Sequence, residues 1–450
     1  MNDSFTEGRI LSPLLRFSAP VFLALLLQAM YGAVDLYVIG RFCTAAEVSA
    51  VSTGSQIMMT ITEVIVGFSV GTTVLVGQKI GAGRHEEAAD AIGAGICLFS
   101  AMALVVTGVM LAAASPLSAL MQAPEEAFAE TVEYTRICSA GTVFIVAYNV
   151  FGSIFRGLGD SRTPLITVLI ACVCNIFGDL FFVAVLKMAV AGVAIATVLS
   201  QGISVAASLL ILKKRGMPFP FSLKNVRFNR EYIAGTLKLG SPLALQDGLV
   251  SVSFLAILAI LNGMGLMASA GVGVAEKVCA FIMLAPSAFG QSMSAFVAQN
   301  IGAEKPARAK KALLCGMAVS FLSGIFMFWL SFFHGEALCG IFTRDPEVAA
   351  AGASYLCSYA IDTLLVPFLF CFGGYFNGCG KTVFVMAQGI VGAFGVRIPA
   401  SLLLSRTAGA TLFRVGLATP MSTLVQITMC LIYFFTQEKK ARRTLPAPAQ

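Results

Sequence analysis

Asp35 and Asp179 are carboxylates set inside stretches of sequence otherwise suited to lipid. Asp35 lies near the end of the first long apolar segment, RFSAPVFLALLLQAMYGAVDLYVIG (16–40), where Leu36, Tyr37, Val38 and Ile39 carry the apolar run past it. A charged Asp at a membrane-helix centre costs roughly 3 kcal/mol on insertion scales, so such residues face a bundle interior or a wet cavity. Asp179 ends the stretch CNIFGD, four residues after Asn175; that spacing puts an amide and a carboxylate on one helical face. Thr197 offers a hydroxyl from the next apolar segment. Counted inward from the outer ends, Asp35 lies about five residues deep and Asp179 and Thr197 about eight, or roughly 7 to 12 Å. Two carboxylates in a partly dry site cannot both stay ionised without a counter-charge, so a proton or a metal cation is expected there. A hard cation such as sodium accepts carboxylate, amide and hydroxyl oxygens alike. The competing reading is that Asn175 and Asp179 cap or bridge helices for packing alone, or that Asp35 sits in the headgroup region. Packing, however, does not call for a second acid at matched depth.

The elements that must position these groups are membrane spans. The chain has 450 residues, 58% hydrophobic and only 12% charged, with a mean hydropathy of +0.87, whereas soluble domains carry about 25% charge. Apolar runs long enough to cross a bilayer can be laid out near 14–40, 49–78, 89–114, 130–155, 163–186, 189–212, 233–262, 270–300, 311–334, 349–377, 382–405 and 412–436. The period-2 alternation of a membrane barrel is absent, so an all-α polytopic membrane protein with 12 transmembrane helices is expected. The opening residues lack a basic region leading to a short apolar core, and no signal peptide is expected. The 12 Cys are scattered along the spans and the 2 His lie in distant polar loops, which leaves no zinc spacing and no thiol redox pair. Neither a nucleophile motif nor a His/Asp constellation is present, so no enzyme and no cofactor are expected, and no metal beyond a coupling ion.

An internal repeat sets the architecture. LVGQKIGAGRHEEAADA (75–91) returns 221 residues later as FVAQNIGAEKPARAKKA (296–312), and Phe151, Gly152, Phe155, Gly157 and Gly159 recur as Phe372, Gly373, Phe376, Gly378 and Gly380. Pro20 returns as Pro242, one residue out of step. Six spans per half is an even number, so the halves are two parallel six-helix repeats. The expected layout is an N-terminal bundle (1–212), a basic, proline-containing linker (213–232), a C-terminal bundle (233–436) and a basic tail (437–450). Most of the 30 Lys and Arg fall on one side if both termini are cytoplasmic, as the positive-inside rule requires. The net charge of +7 is thereby explained without a nucleic-acid partner.

Further polar residues inside the spans are candidates for a central substrate cleft: Gln28, Glu63, Gln246, Asp247 and Asp362. Glu63 could equally hydrogen-bond across helices, and Asp247 and Asp362 could hydrate the cleft or bond between helices. Glu276 and Lys277 are expected to reach the interface, and Arg397, beside Pro399, to snorkel or pair locally. GQKIGAG lacks the terminal Lys-Ser/Thr of a nucleotide loop and reads as a tight turn.

The chain resembles the multidrug and toxic compound extrusion (MATE) transporters, nearest to their bacterial DinF/MepA-like branch. The resemblance is carried by VDLYVIGRF (34–42), LVGQKIGAG (75–83), FRGLGDSRTP (155–164), GVAIATVLSQ (192–201) and FVAQNIGAEKPARAKKA (296–312), in order along nearly the whole chain. It implies a V-shaped twelve-helix fold in a bacterial cell membrane; that one chain suffices, as a monomer, is expected from the self-contained duplication. It also implies export of cationic, amphipathic compounds by alternating access, in exchange for sodium or protons. The family's N-half cation site maps onto Asp35, Asn175, Asp179 and Thr197, and its helix-bending proline onto Pro20. The second half departs from the NorM-like branch: the Glu expected two turns after the proline is Val250 here, and Gln246 and Asp247 come earlier. The alternative function is that of a flippase for a lipid-linked saccharide or another amphipathic metabolite.

Overall fold

A computed structural model of the chain describes residues 5–407 and 409–444. Every long element in it is a helix, and each expected span is present. They are α1 (Leu11–Phe42), α2 (Ala45–Gly81), α3 (His85–Leu120), α4 (Glu125–Ala140 with Thr142–Gly157), α5 (Arg162–Val185) and α6 (Ala189–Arg215), then α7 (Arg230–Asn262), α8 (Leu266–Ile282 with Leu284–Gly302), α9 (Pro306–Phe333), α10 (Pro346–Gly378), α11 (Thr382–Ser405) and α12 (Leu412–Lys440). Ten are long and apolar enough to cross a bilayer as single helices, and α4 and α8 are bent pairs, at 51° and 40°. The helix holding α12 runs on to Thr444; residues 445–450 of the basic tail expected at 437–450 lie outside the described residues.

Local sequence explains much of this layout. Thr44 accepts from the Glu47 amide, and the Glu47 carboxylate accepts in return from the Thr44 amide at 2.6 Å, a reciprocal cap that starts α2. Hydroxyls within the spans satisfy themselves on their own helix, as Thr131 does on the Ala127 carbonyl and Thr135 on that of Thr131, both at 2.8 Å, which keeps polar side chains affordable in an apolar setting. Large apolar side chains such as Leu104, Phe177 and Phe435 remain exposed, the surface a lipid environment covers.

The helices group into two compact units. The first comprises Met1–Gly248, Gln291–Ala312 and Asn377–Thr382, and the second Leu249–Gly290, Leu313–Phe376 and Val383–Gln450. The first unit thus contains all six spans of the first repeat together with one end of several spans of the second. Among the described residues its core includes an apolar cluster around Ile39, Val51, Met58, Tyr134 and Val193 and another around Val76, Ile92, Phe99 and Ile154. The second unit is built around Leu261, Val272, Ile282, Leu356 and Val415.

Candidate cation site

Three helices of the first unit bring their polar residues together. On α1 the faces divide sharply: Asp35 is 6% exposed, while Tyr37, two residues on, is 72% exposed. Asn175 and Asp179, one turn apart on α5, are both fully buried. The Asp35 and Asp179 carboxyls lie in mutual electrostatic range, with Asn175 and Thr197 beside Asp35. Asp35 Oδ1, both amide atoms of Asn175, both carboxyl oxygens of Asp179 and Thr197 Oγ1 are buried, and none completes a hydrogen bond. Buried polar groups are ordinarily paired. Convergence of so many unsatisfied atoms, nearly all oxygens, marks a site able to take a proton or an oxygen-seeking cation.

The backbone around Asp179 is locally irregular. It is followed by a π-helical stretch, Leu180–Val185, the kind of local widening that recurs at functional sites. One residue before it, Gly178 lets α5 close on α6: a Cβ there would stand 3.0 Å from the Ala196 Cβ. Small residues are what allow such approach between membrane helices, and this one lies next to Asp179, as Ala196 lies next to Thr197. A Gly178→Leu chain is expected to be overpacked by roughly 1–3 kcal/mol, to part the two helices and to lose most dye efflux while remaining in the membrane. Efflux and membrane abundance, measured side by side, check this.

Two members of the neighbourhood were not expected from sequence. Tyr31, one turn before Asp35, lies in electrostatic range of Asp35 and Asp179. Its hydroxyl is 3.1 Å from Ser200 Oγ, which in turn donates to the Thr197 carbonyl at 2.8 Å. The four-residue spacing of Tyr31 and Asp35 was the available signal. Pro20 lies within the unbroken helix α1, where it removes one backbone hydrogen bond.

The cleft candidates divide. Gln28 donates to the Tyr148 hydroxyl at 2.7 Å. Glu63 and Asp247, from α2 and α7, come within electrostatic range of each other, with Gly67 making room for the Asp247 carboxyl. Gln246 is half-buried, with its Oε1 unbonded. Asp362 belongs to the second unit, 2% exposed, beside Thr423 and Arg397. Arg397 does not snorkel: it is 8% exposed, donates to Ser253 Oγ at 2.6 Å and lies 4.2 Å over the Phe254 ring. An aromatic face and a hydroxyl hold the guanidinium inside, so its long stem has no need to reach the interface.

The family model MatE matches residues 20–181 and 242–403, one match in each half of the repeat. The probable multidrug resistance protein YpnP of Bacillus subtilis is 27% identical over 430 residues, covering 96% of each chain. The multidrug export protein MepA of Staphylococcus haemolyticus is 23% identical, covering 98% of this chain and 96% of its own. Among solved structures, a MATE protein in complex with MaL6 superposes with a TM-score of 0.90 at 21% identity, covering 99% of this chain and 100% of its own. Matched in both repeats and along nearly its full length, the chain belongs to the MATE family of multidrug efflux transporters and is a multi-pass membrane transporter, not an enzyme.

Proposed function

We propose that the protein is a cation-coupled antiporter that exports cationic, amphipathic small molecules by alternating access, with Asp35, Asn175, Asp179 and Thr197 as its coupling site. The observation that carries this reading is the set of buried, hydrogen-bond-free polar atoms those four residues bring together. The coupling ion, sodium or a proton, is cargo. Asp35 and Asp179 supply the negative charge that attracts it, and Asn175 and Thr197 supply neutral oxygens that replace water around it. With the ion bound, the repulsion between the two carboxylates is relieved; with it gone, they repel in a medium that screens poorly. The two conditions therefore favour different placements of α1 relative to α5. Pro20, which leaves α1 short of one backbone bond, is where the helix yields most cheaply. A ligand shifts such an equilibrium only through its differential affinity for the two states, and the carboxylate pair supplies that difference.

Substrate contacts are assigned, within the first unit, to Gln28, Glu63, Gln246 and Asp247, whose acids suit a cationic solute; Asp362, in the second unit, stands by itself as a further acid of that kind. In this reading the repeats, 1–212 and 233–436, form the two transport halves, both termini are cytoplasmic, and one chain suffices. The deciding experiment is efflux of an ethidium-type dye from vesicles under sodium and pH gradients imposed separately. Efflux driven by one of the two identifies the ion. Efflux that needs neither overturns the coupling, and lipid-linked saccharide flipping in its place establishes the flippase alternative.

A further inference from the structure

The repeated motif that sequence reading took for a tight turn is, in the structure, a pair of reciprocal contacts. Gln78 Nε2 donates to the Gly378 carbonyl at 3.0 Å, and Gln299 Nε2 donates to the Gly157 carbonyl at 2.9 Å. The two glutamines are repeat equivalents, 221 residues apart, and so are the two glycines. Each bond joins one repeat to the other, and all four residues lie in the same compact unit. The acceptors are specific in kind. Gly157 and Gly378 are the last residues of α4 and α10, and carbonyls at a helix C-terminus have no partner within their own helix. The glutamine of the opposite repeat provides the missing donor.

The backbones are correspondingly close. A Cβ on Gly81 would fall 1.9 Å from the Gln299 carbonyl oxygen, and one on its equivalent Gly302 would fall 2.0 Å from that of Gln78. No other residue fits at either position in this arrangement. The segments leading into each half repeat the exchange. Arg308, at the start of α9, donates to the carbonyls of Phe5, Glu7, Gly8 and Arg9, and Asn300 donates to that of Phe5 at 2.9 Å. Phe5 packs between Phe17 and Phe296 at centroid distances of 5.1 and 4.9 Å. In the other half, Asn225 donates to Asp90 Oδ1 at 2.8 Å and Arg227 pairs with Asp90 at 3.3 Å. Each lead-in segment is thus strapped over the start of the opposite repeat's third helix.

We propose that Gln78 and Gln299 are a two-fold latch that holds the two repeats together at the loop face, and that its opening is the gating step there during transport. The proposal rests on the transporter reading and on the orientation that makes this face cytoplasmic. The latch suits a gate because its bonds are neutral and each acceptor can take water when released. The two states then differ by little, as a cycling equilibrium requires. Symmetry makes the bonds act together: breaking either loosens the same contact.

The test is hydrogen–deuterium exchange on the full chain, in detergent without substrate or gradient. In Gln78→Ala, amides at 300–305, in the other repeat, and at 5–9, the lead-in held by that repeat's Asn300 and Arg308, are expected to exchange on the order of three- to tenfold faster. Gln299→Ala should do the same at 79–84. An increase confined to the substituted loop overturns the latch. Should either alanine variant fail to fold, Gln78→Asn and Gln299→Asn keep the amide but cannot span the gap, and the same readout applies. Dye efflux is measured in the same preparations. Opening in trans with altered efflux supports the gating role, and opening in trans with unchanged efflux overturns it. Because exchange is read without any gradient, loss of the latch is distinguishable from failure of the coupling reading.

Discussion

Asp179→Asn protein, inserted and folded, is expected to lose its response to the driving gradient, with dye efflux falling roughly 5- to 150-fold, the range of a coupling free energy of about 1–3 kcal/mol. The substitution removes one of two negative charges buried together and leaves the shape of the site nearly unchanged. What is lost is the repulsion that the ion relieves and hence the difference in affinity between the two states. Asp35→Asn should behave alike. The double variant should be little worse than either, because residues acting as one unit are not additive. Efflux from vesicles under an imposed sodium or pH gradient, normalised to folded protein in the membrane, checks all three. Full efflux in both single variants removes this site from the mechanism.

The second large effect is expected in the other compact unit. Arg397→Met should lower stability by roughly 1–3 kcal/mol, the cost of removing a buried charged donor from the groups around it. Arg397 is enclosed by Ser253 and Phe254 and lies in electrostatic range of Asp362, itself 2% exposed. Without the guanidinium, Asp362 is a buried carboxylate with no compensating charge. Asp362→Asn in the same chain removes that charge and is expected to recover most of the loss. Thermal unfolding of the single and double variants in detergent measures the recovery. If Asp362→Asn brings none, the loss belongs to the Ser253 and Phe254 contacts rather than to charge.

The first half was easier to read than the second, for a physical reason. In α5 the informative residues are a helical turn apart on one strand of sequence, so Asn175 and Asp179 announce a common face by spacing alone. Asp35 could be joined to them only through matched depth, which the membrane makes countable because every span crosses the same thickness. Tyr31 escaped because a tyrosine in an apolar helix is ordinary there; its hydroxyl matters only once α6 brings Ser200 to it. Arg397 was read as snorkelling or pairing locally since its stem allows both, and the aromatic face that retains it comes from α7, remote in sequence. The bend of α8 did leave a mark, since Pro286 cannot donate to the carbonyl four residues back, Ile282, where the first segment ends; that of α4 falls at Gly141, with no proline there and hydropathy running straight across.

Span number, the helical character of every span, the twofold repeat and the presence of acids within lipid-length segments followed from the order of residues. Hydrophobic free energy and backbone hydrogen bonding in a bilayer leave a helix as the sole outcome for such runs. Which acid meets which, by contrast, depended on how closely helices approach. That was decided by contacts between distant residues: Gly178 against Ala196, Gly81 against Gln299, Gly302 against Gln78. A glycine in sequence records only that a side chain is missing; the partner filling the space is chosen by packing. The same holds for the glutamines of the repeated motif, whose acceptors are helix ends contributed by the opposite repeat and become visible only when the chain is folded.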